Sequence, residues 1–245
     1  MIAALLALAD DGPNIPDFGR GSDCVRENGQ FCLDWVVKNF GDQLLPRLIE
    51  HIELTAIAVG IGFAIAFPAA VVAHRYHWVK TPFTAFSAFV YTIPSIALFQ
   101  LLVPVTGLSW TSAEIALVGY TLLILFRNTL TGLQEVPDDA IEAAEAMGLT
   151  RRQILTRVEL PLALPAIMAG LRIATVTTIS LATIAAYIGA GGIGQPIFDG
   201  IQRGFRTQFV TAGVLAVALA LGADGLLVLA QRALAPWVRA RQTTR

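Results

Sequence analysis

Charged residues are scarce in this chain. Asp, Glu, Lys and Arg together make up 14% of its 245 residues, whereas hydrophobic residues make up 55%. Soluble domains carry roughly 25% charged residues, so the deficit of charge excludes an ordinary soluble domain and indicates a membrane protein. The net charge of -1 and the lack of a basic stripe also argue against binding to nucleic acid.

Residues that support catalysis or hold a metal are equally few. The three histidines, His51, His74 and His77, have no companions at the spacing of metal ligands or of a catalytic triad. No glycine-rich loop followed by Lys and Ser or Thr is present to hold phosphate groups. We therefore expect no catalytic residues, no metal site and no cofactor in this chain, which would not be an enzyme and would leave any ATP hydrolysis to another chain.

Only two cysteines occur, Cys24 and Cys32. In an oxidising compartment they would form a disulfide, which would contribute at most about 3 kcal/mol across so short a loop. The alternative is two unpaired thiols, and the sequence leaves both open. The opening stretch MIAALLALADD has no positive charge after Met1 and is too short to cross a bilayer, so it fits a signal peptide poorly and is expected either to lie on a surface or to be frayed.

Long apolar runs dominate the rest of the chain, and a membrane helix needs about 20 such residues. The uncharged runs cover residues 54–73, 81–113, 173–198 and 207–223. A fifth helix near 111–132 contains Glu114 and Arg127, which we expect to snorkel to opposite interfaces. The sequence thus predicts an all-α, polytopic bundle of about five spans. Its expected parts are an outer segment with an interfacial helix (1–50), a membrane domain (51–233) and a cytoplasmic tail (234–245).

Loop charges predict the orientation, because Lys and Arg are retained on the cytoplasmic side. Ten such residues would share one side: Arg75, Lys80, Arg127, Arg151, Arg152, Arg157, Arg232, Arg239, Arg241 and Arg245. The opposite side has the uncharged turn PVTGLSWTS and a segment with only Arg203 and Arg206. We expect the N-terminus outside and the C-terminus in the cytoplasm.

The longest inward connection, QEVPDDAIEAAEAMGLTRRQILTRVELPLALP, predicts two helices with a sharp bend. Pro137 followed by two aspartates suits a helix start. Gly148 suits the left-handed conformation that ends a helix, and Thr150 can cap a second helix running through Val158 to Pro161. Such a helical hairpin either packs on its own membrane domain or presents a face to another protein.

The spacing within this hairpin resembles the EAA signature of ABC importer permeases. Glu142, Ala143 and Ala144 are followed by three residues, Gly148, nine residues and VELP, with Val158 where the family usually has Ile. The resemblance implies the type I importer (MetI-like) fold, with coupling helices at 138–160 that dock on an ATPase subunit. The implied contact residues are Glu142, Ala143, Ala144, Gly148, Leu160 and Pro161.

Three further stretches look like the glycine betaine, choline and carnitine branch of that family: YTIPSIALF (91–99), RNTLTGLQEVP (127–137) and IGAGGIGQPIFDGI (188–201). The resemblance implies a second, identical or related permease subunit, two ABC ATPase subunits that bind ATP and Mg, and an external substrate-binding protein. It places the chain in the bacterial cytoplasmic membrane among lipid. The implied function is ATP-driven import of osmoprotectants of the quaternary ammonium type.

Helix breakers and intramembrane charges supply the remaining candidates. Pro94 and Ser95 fall in the middle of the second span, where they produce either an inert kink or a gate. The glycines of 189–194 are expected to end the fourth span before a short outer helix at 196–202. Arg172 and Asp224 lie in apolar surroundings, where a charge costs roughly 2.5–3.5 kcal/mol. They either snorkel, pair with each other, or face a pore between two subunits.

Hydroxyl residues occur along the fourth span, at Thr175, Thr177, Thr178, Ser180 and Thr183. They serve either helix packing or the lining of a pathway.

Three alternative functions of the chain also remain open. The chain could be a permease for another small solute such as an amino acid, an ion-coupled secondary carrier that uses Arg172 and Asp224, or a membrane scaffold that binds a different cytoplasmic partner.

Overall fold

The computed structural model describes residues 22–236, and no strand occurs among them. The opening MIAALLALADD and Arg239, Arg241 and Arg245 lie outside the described residues. The α-helices are α1 (Asp23–Arg26), α2 (Leu33–Asn39), α3 (Leu45–Arg75), α4 (His77–Thr92), α5 (Ser95–Thr106), α6 (Trp110–Gln134), α7 (Asp138–Ala146), α8 (Arg151–Ile154), α9 (Leu160–Ala185), α10 (Gly194–Gln202) and α11 (Arg206–Leu234).

Four helical segments of the described chain are long and apolar enough to cross a membrane: Leu33–Arg75, Trp110–Gln134, Arg151–Ile188 and Arg206–Leu234. The pair α4 and α5 adds a fifth if it counts as one span, although its two helices are bent by 99°. The all-α fold with about five spans is thereby confirmed. The prediction of one continuous span over 81–113 is wrong.

The break in the second span follows from Pro94. A proline restricts the preceding residue to extended backbone, and Ile93 has φ -69° and ψ 129°. Pro94 itself is extended and caps α5, with φ -56° and ψ 137°. The hydroxyl of Tyr120 on α6 donates to the carbonyl of Ile93, which the break leaves without a helical partner. The sequence predicted a kink at Pro94 where the structure has two separate helices.

The first span begins earlier than the expected domain boundary at residue 50. Helix α2 passes through a π-helical turn (Phe40–Leu44) into α3, so the predicted interfacial helix and the first span form one helical segment. A second π-turn (Leu155–Glu159) joins α8 to α9. Each π-turn ends two residues before a proline, Pro46 or Pro161. The wider turn makes room for the proline ring, which would otherwise meet the carbonyl four residues earlier.

Helix α6 lies at the centre of the bundle and α11 at its periphery. Of the most apolar stretch of each, 61% is buried for α6 and 6% for α11. Close approach to α6 depends on small residues: a Cβ on Gly62 would lie 1.9 Å from Thr121 Oγ1, and one on Gly132 would lie 2.8 Å from Ala166 Cβ. Because so little of α11 is buried, its exposed flank is available to lipid or to another subunit.

Candidate functional site

The predicted hairpin exists and occupies 138–160. Helix α7 begins after Pro137, whose backbone is extended, and has Asp138 and Asp139 in its first turn. Carboxylates at a helix N-terminus are stabilised by the helix dipole. The predicted helix start at Asp138 is confirmed.

The bend depends on Gly148, as its position in the sequence predicted. Its φ is +79°, and a Cβ built on it would have no neighbour within 4 Å. The amides of Gly148 and Leu149 donate to the carbonyls of Glu145 and Ala144, at 2.9 and 3.2 Å. Any cost of a side chain here is therefore conformational rather than steric.

Thr150 caps the second helix through a reciprocal pair of hydrogen bonds with Gln153. The Gln153 amide donates to Thr150 Oγ1 at 3.4 Å, and the Thr150 amide donates to Gln153 Oε1 at 2.8 Å. This capping box confirms the predicted helix start. The second helix does not end near Pro161, because it continues through the π-turn and α9 to Ile188. The second helix of the hairpin is thus one end of the fourth span itself, and we call the end of the bundle that carries the hairpin the inner end.

The predicted ATPase-contact residues divide into exposed and packed groups. Glu142, Ala143 and Gly148 are exposed, together with Met147. Ala144 is buried, while Leu160 packs against a cluster formed by α6 and α9, and Pro161 is half-buried. The exposed group forms a free surface on α7 and the bend, and the packed group fixes the hairpin to the bundle.

A cavity of ≈ 660 Å³ lies between the hairpin and the inner end of the first span. Its lining includes two carboxylates, Glu145 and Glu159, and three guanidinium groups, from Arg75, Arg151 and Arg152. His74 at the end of α3 also lines it and contacts Glu159, with 3.3 Å between His74 Nε2 and Glu159 Oε1. No local pattern in the sequence points to this contact, because the two residues are 85 positions apart.

Arg172 and Asp224 pair with each other, which was one of the three open alternatives. Arg172 Nε and Nη2 donate to the two carboxylate oxygens of Asp224 at 2.7 and 2.8 Å. Each side chain keeps about a third of its surface exposed. Two parallel hydrogen bonds compensate both charges in apolar surroundings. They join the fourth span to the last one, beside a cavity of ≈ 500 Å³ that Thr177 also lines.

The other hydroxyls of the fourth span bond mainly to their own helix. Thr175 and Thr178 donate to the carbonyls of Leu171 and Ala174, and Thr183 donates to that of Ser180. Such bonds satisfy a hydroxyl inside a bundle.

Pro94 is exposed and Ser95 is half-buried at the break between α4 and α5. Gating at this break stays a prediction.

Glu114 differs from expectation. It is 6% exposed, and neither carboxylate oxygen has a hydrogen-bond partner within residues 22–236. The prediction that this side chain snorkels is wrong, because the neighbours of α6 at the centre of the bundle bury it. Arg127, at the other end of the apolar stretch, is exposed. Among the residues described, no group of three or more His, Cys, Asp or Glu could hold a metal ion.

The end of the bundle opposite the hairpin, which we call the outer end, holds a clamp, by which we mean residues 22–32 and their contacts with the α10–α11 turn. Cys24 and Cys32 form a disulfide. Asn28, with φ 52°, donates to the Gly204 carbonyl at 2.8 Å and accepts from the Arg206 amide at 3.0 Å. Thr207 Oγ1 donates to the Gly29 carbonyl at 2.8 Å. The clamp fixes the start of the first span to the start of the last.

A second contact closes the outer end beside the glycine loop. The Gly192 amide donates to Glu50 Oε2 at 2.9 Å, and Arg47 binds the same oxygen at 2.8 Å. Gly189, Gly191 and Gly192 all have positive φ and separate the fourth span from α10. The predicted turn and short outer helix are confirmed, the helix spanning Gly194–Gln202.

Comparisons with known proteins agree with this architecture. Residues 57–240 match the model of the family described as binding-protein-dependent transport system inner membrane component. The osmoprotectant import permease protein OsmW of Salmonella typhimurium is 39% identical over 209 residues, 83% of this chain and 97% of that protein. The choline transport system permease protein OpuBB of Bacillus subtilis is 36% identical over 197 residues, 80% of this chain and 90% of that protein.

Two solved ABC transporter structures are similar to this chain. The inward-facing MetNI methionine ABC transporter superposes with a TM-score of 0.67 at 27% identity, covering 78% of this chain and 95% of that one. An amino acid ABC transporter crystallised with histidines reaches a TM-score of 0.67 at 20% identity over 81% of this chain and 97% of that one, which shows the shared fold alone.

Proposed function

Because this chain belongs to the family of binding-protein-dependent transport system inner membrane components, we propose that it imports osmoprotectants of the quaternary ammonium type. It is a transmembrane permease of the ABC importer class, not an enzyme, with the MetI-like fold. The names of its relatives support the substrate class: permeases named for choline, carnitine and glycine betaine are 34–36% identical to it.

The partners follow from the proposed function. ATP and Mg would be held by two ABC ATPase subunits, which supply the free energy of hydrolysis. A second permease subunit, identical or related, would complete the pathway and cover part of the exposed flank of α11, with lipid around the rest. An external binding protein would select the substrate, since cation–π contacts in an aromatic cage bind quaternary ammonium groups.

The ATPase contact would lie on the exposed surface of 138–160. The main supporting observation is that the second helix of this hairpin continues without interruption into the fourth span, from Arg151 to Ile188. A displacement of Glu142, Ala143 or Gly148 by a docked ATPase would therefore act, across the bend, on the start of a membrane helix. Conformational coupling of this kind needs two distinct states and a rigid element shared by both sites.

The orientation would place this hairpin in the cytoplasm and the N-terminus outside. The distribution of Lys and Arg supports it. A disulfide between Cys24 and Cys32 suits an oxidising exterior. The outer segment 1–50, the membrane domain 51–233 and the tail 234–245 are proposed on the same ground, with the outer segment joined to the first span by the helical segment that begins at Leu33.

Two measurements test the proposal: co-purification of the chain with candidate ABC ATPase subunits of its source organism, and uptake of labelled glycine betaine into proteoliposomes loaded with ATP. We expect a stable complex and uptake that depends on both ATP and binding protein. Uptake by the purified chain alone, driven by an ion gradient, would instead identify a secondary carrier. The pairing of Arg172 with Asp224 argues against that rival, since the two side chains satisfy each other and offer no free charge to a coupling ion.

A further inference from the structure

The fourth span receives movement from the hairpin through covalent continuity, but the first span has no such connection. Its inner end, the last turn of α3, meets the hairpin only through side chains. Val71 of α3 packs with Leu155 and Leu160 on a cluster centred on Leu133, Ala163 and Ile167. Apolar packing is non-directional, so these contacts allow one helix to slide on the other.

His74 and Glu159 form the directional contact at this point. Their side chains are 23% and 12% exposed, and 3.3 Å separates His74 Nε2 from Glu159 Oε1. Between residues 22 and 236, this is the one side-chain hydrogen bond that links 138–160 to the rest of the bundle. The remaining side-chain bonds of the hairpin, which involve Thr150, Gln153 and Thr156, stay within it.

The surroundings of His74 determine how it bonds. Its Nδ1 is buried and has no hydrogen-bond partner in the described part of the chain. Without a proton on Nε2, two acceptors would face each other, because a carboxylate oxygen only accepts hydrogen bonds. The contact with Glu159 therefore favours the tautomer in which Nε2 carries the proton and donates it to the carboxylate.

The position of Glu159 makes this bond sensitive to movement of the hairpin. Glu159 is the last residue of the π-turn that accommodates Pro161, so it lies where the hairpin becomes the fourth span. The cavity of ≈ 660 Å³ opens on the same side, lined by both His74 and Glu159. Because no side chain fills that space, packing does not replace the hydrogen bond if it is lost.

We propose that the His74–Glu159 hydrogen bond is the positioning contact that makes the first span move together with the hairpin and the fourth span. This inference rests on the proposed function, since it gives the bond its role in coupling ATP hydrolysis to transport. The proposed role needs no contact of either residue with substrate or nucleotide. Both act through the relative position of α3 and α9.

The test measures the number of glycine betaine molecules imported per ATP hydrolysed by the assembled importer in proteoliposomes. His74→Leu and Glu159→Leu remove the bond while keeping side-chain bulk. We expect the ratio to fall roughly three- to tenfold, the factor that corresponds to one hydrogen bond of ordinary net strength. ATP hydrolysis itself and the amount of ATPase subunit bound should stay within about twofold of wild type.

Three further variants separate positioning from simple destabilisation. His74→Gln and Glu159→Gln keep a donor and an acceptor of similar reach, and the exchanged pair His74→Glu with Glu159→His keeps both groups in reversed places. Each should recover most of the lost ratio. His77→Leu is the matched control, because His77 is exposed and makes no described contact with the hairpin, so it should leave the ratio unchanged.

Two results would overturn the inference. One is a wild-type ratio in His74→Leu, which would show that the first span follows the hairpin without the bond. The other is an equal loss in His74→Leu and His74→Gln in parallel with a lower melting temperature, which would show a purely structural role. Failure of the wild-type chain to import with any ATPase would instead overturn the proposed function, and the two failures are distinguishable.

Discussion

The two ends of the bundle are held in different ways. At the outer end, the two bonds of Asn28, the Thr207 bond and the Glu50–Gly192 bond connect segments that are distant in sequence, and a disulfide closes the loop that carries Asn28. At the inner end, 138–160 is linked to the rest of the bundle by one side-chain hydrogen bond in the described chain, His74 to Glu159. The polar links are concentrated at one end.

This difference indicates which end is free to move. The bonds of Asn28 and Thr207 fix the distance between the outer starts of the first and last spans, and each would have to break for those starts to separate. The hairpin has an exposed surface, a bend made by a single glycine with open space around it, and an adjacent cavity. An element with few directional bonds to the rest of the bundle is the expected receiver of a force from a partner protein.

Arg172 and Asp224 connect the two ends of the bundle, because they join the helix that carries the hairpin to the helix that the clamp holds. We expect Arg172→Leu to have the largest effect on folded yield in detergent, since it leaves the Asp224 carboxylate unpaired in apolar surroundings. Chromatographic yield and melting temperature measure the loss. The double variant with Asp224→Leu should recover most of it, and an unimpaired single variant would show that the pair does not stabilise the bundle.

Removal of the disulfide tests the outer end alone. Cys24→Ser with Cys32→Ser should lower the free energy of unfolding by up to about 3 kcal/mol, the upper limit that loop-closure entropy sets for so short a loop. Thermal unfolding under oxidising conditions measures the change. Binding of ATPase subunits at the other end should be unaffected. A loss of ATPase binding would show that the two ends are not independent.

Gly148→Ala tests the inner bend, and Gly189→Ala is its matched control in the loop after the fourth span. Both glycines have φ of +79°, and a Cβ added to either would have no atom within 4 Å. The left-handed conformation costs an L-residue about 1–2 kcal/mol, so both should lose similar stability. Only Gly148→Ala should weaken co-purification of the ATPase. Equal weakening by both variants would contradict a docking role for the hairpin.

Asn28 provides the smallest expected effect. Asn28→Gly keeps the backbone freedom needed at φ 52° but removes two side-chain hydrogen bonds, whereas Asn28→Ala also adds conformational strain. We expect a loss of about 1 kcal/mol in unfolding free energy for Gly and more for Ala. Chemical or thermal unfolding measures both. If Gly costs nothing, the hydrogen bonds of Asn28 do not stabilise the clamp.

Local chemistry explains what the sequence predicted well. The start at Asp138, the left-handed Gly148 and the cap at Thr150 each depend on residues within one turn of one another. Pro94 is also local, but the sequence predicted only a kink there, because the 99° bend depends on how α4 and α5 each pack against the bundle.

Contacts between distant residues explain the rest. Arg172 and Asp224 are 52 positions apart, so their pairing was one alternative among three. Glu114 was expected at an interface because its burial depends on the neighbours of α6 and not on its own helix. Asn28, Glu50 and the His74–Glu159 contact left no signal, since a single polar residue does not reveal a partner elsewhere in the chain.

The most direct test of docking on the hairpin is photo-crosslinking within the intact complex. A photoreactive residue placed at the exposed Ala143 should link to the ATPase subunit. The same residue at the exposed Arg203, which follows α10 at the end of the bundle opposite the hairpin, should not. A complex that purifies intact but gives no link from Ala143, or equal links from both positions, would contradict the account.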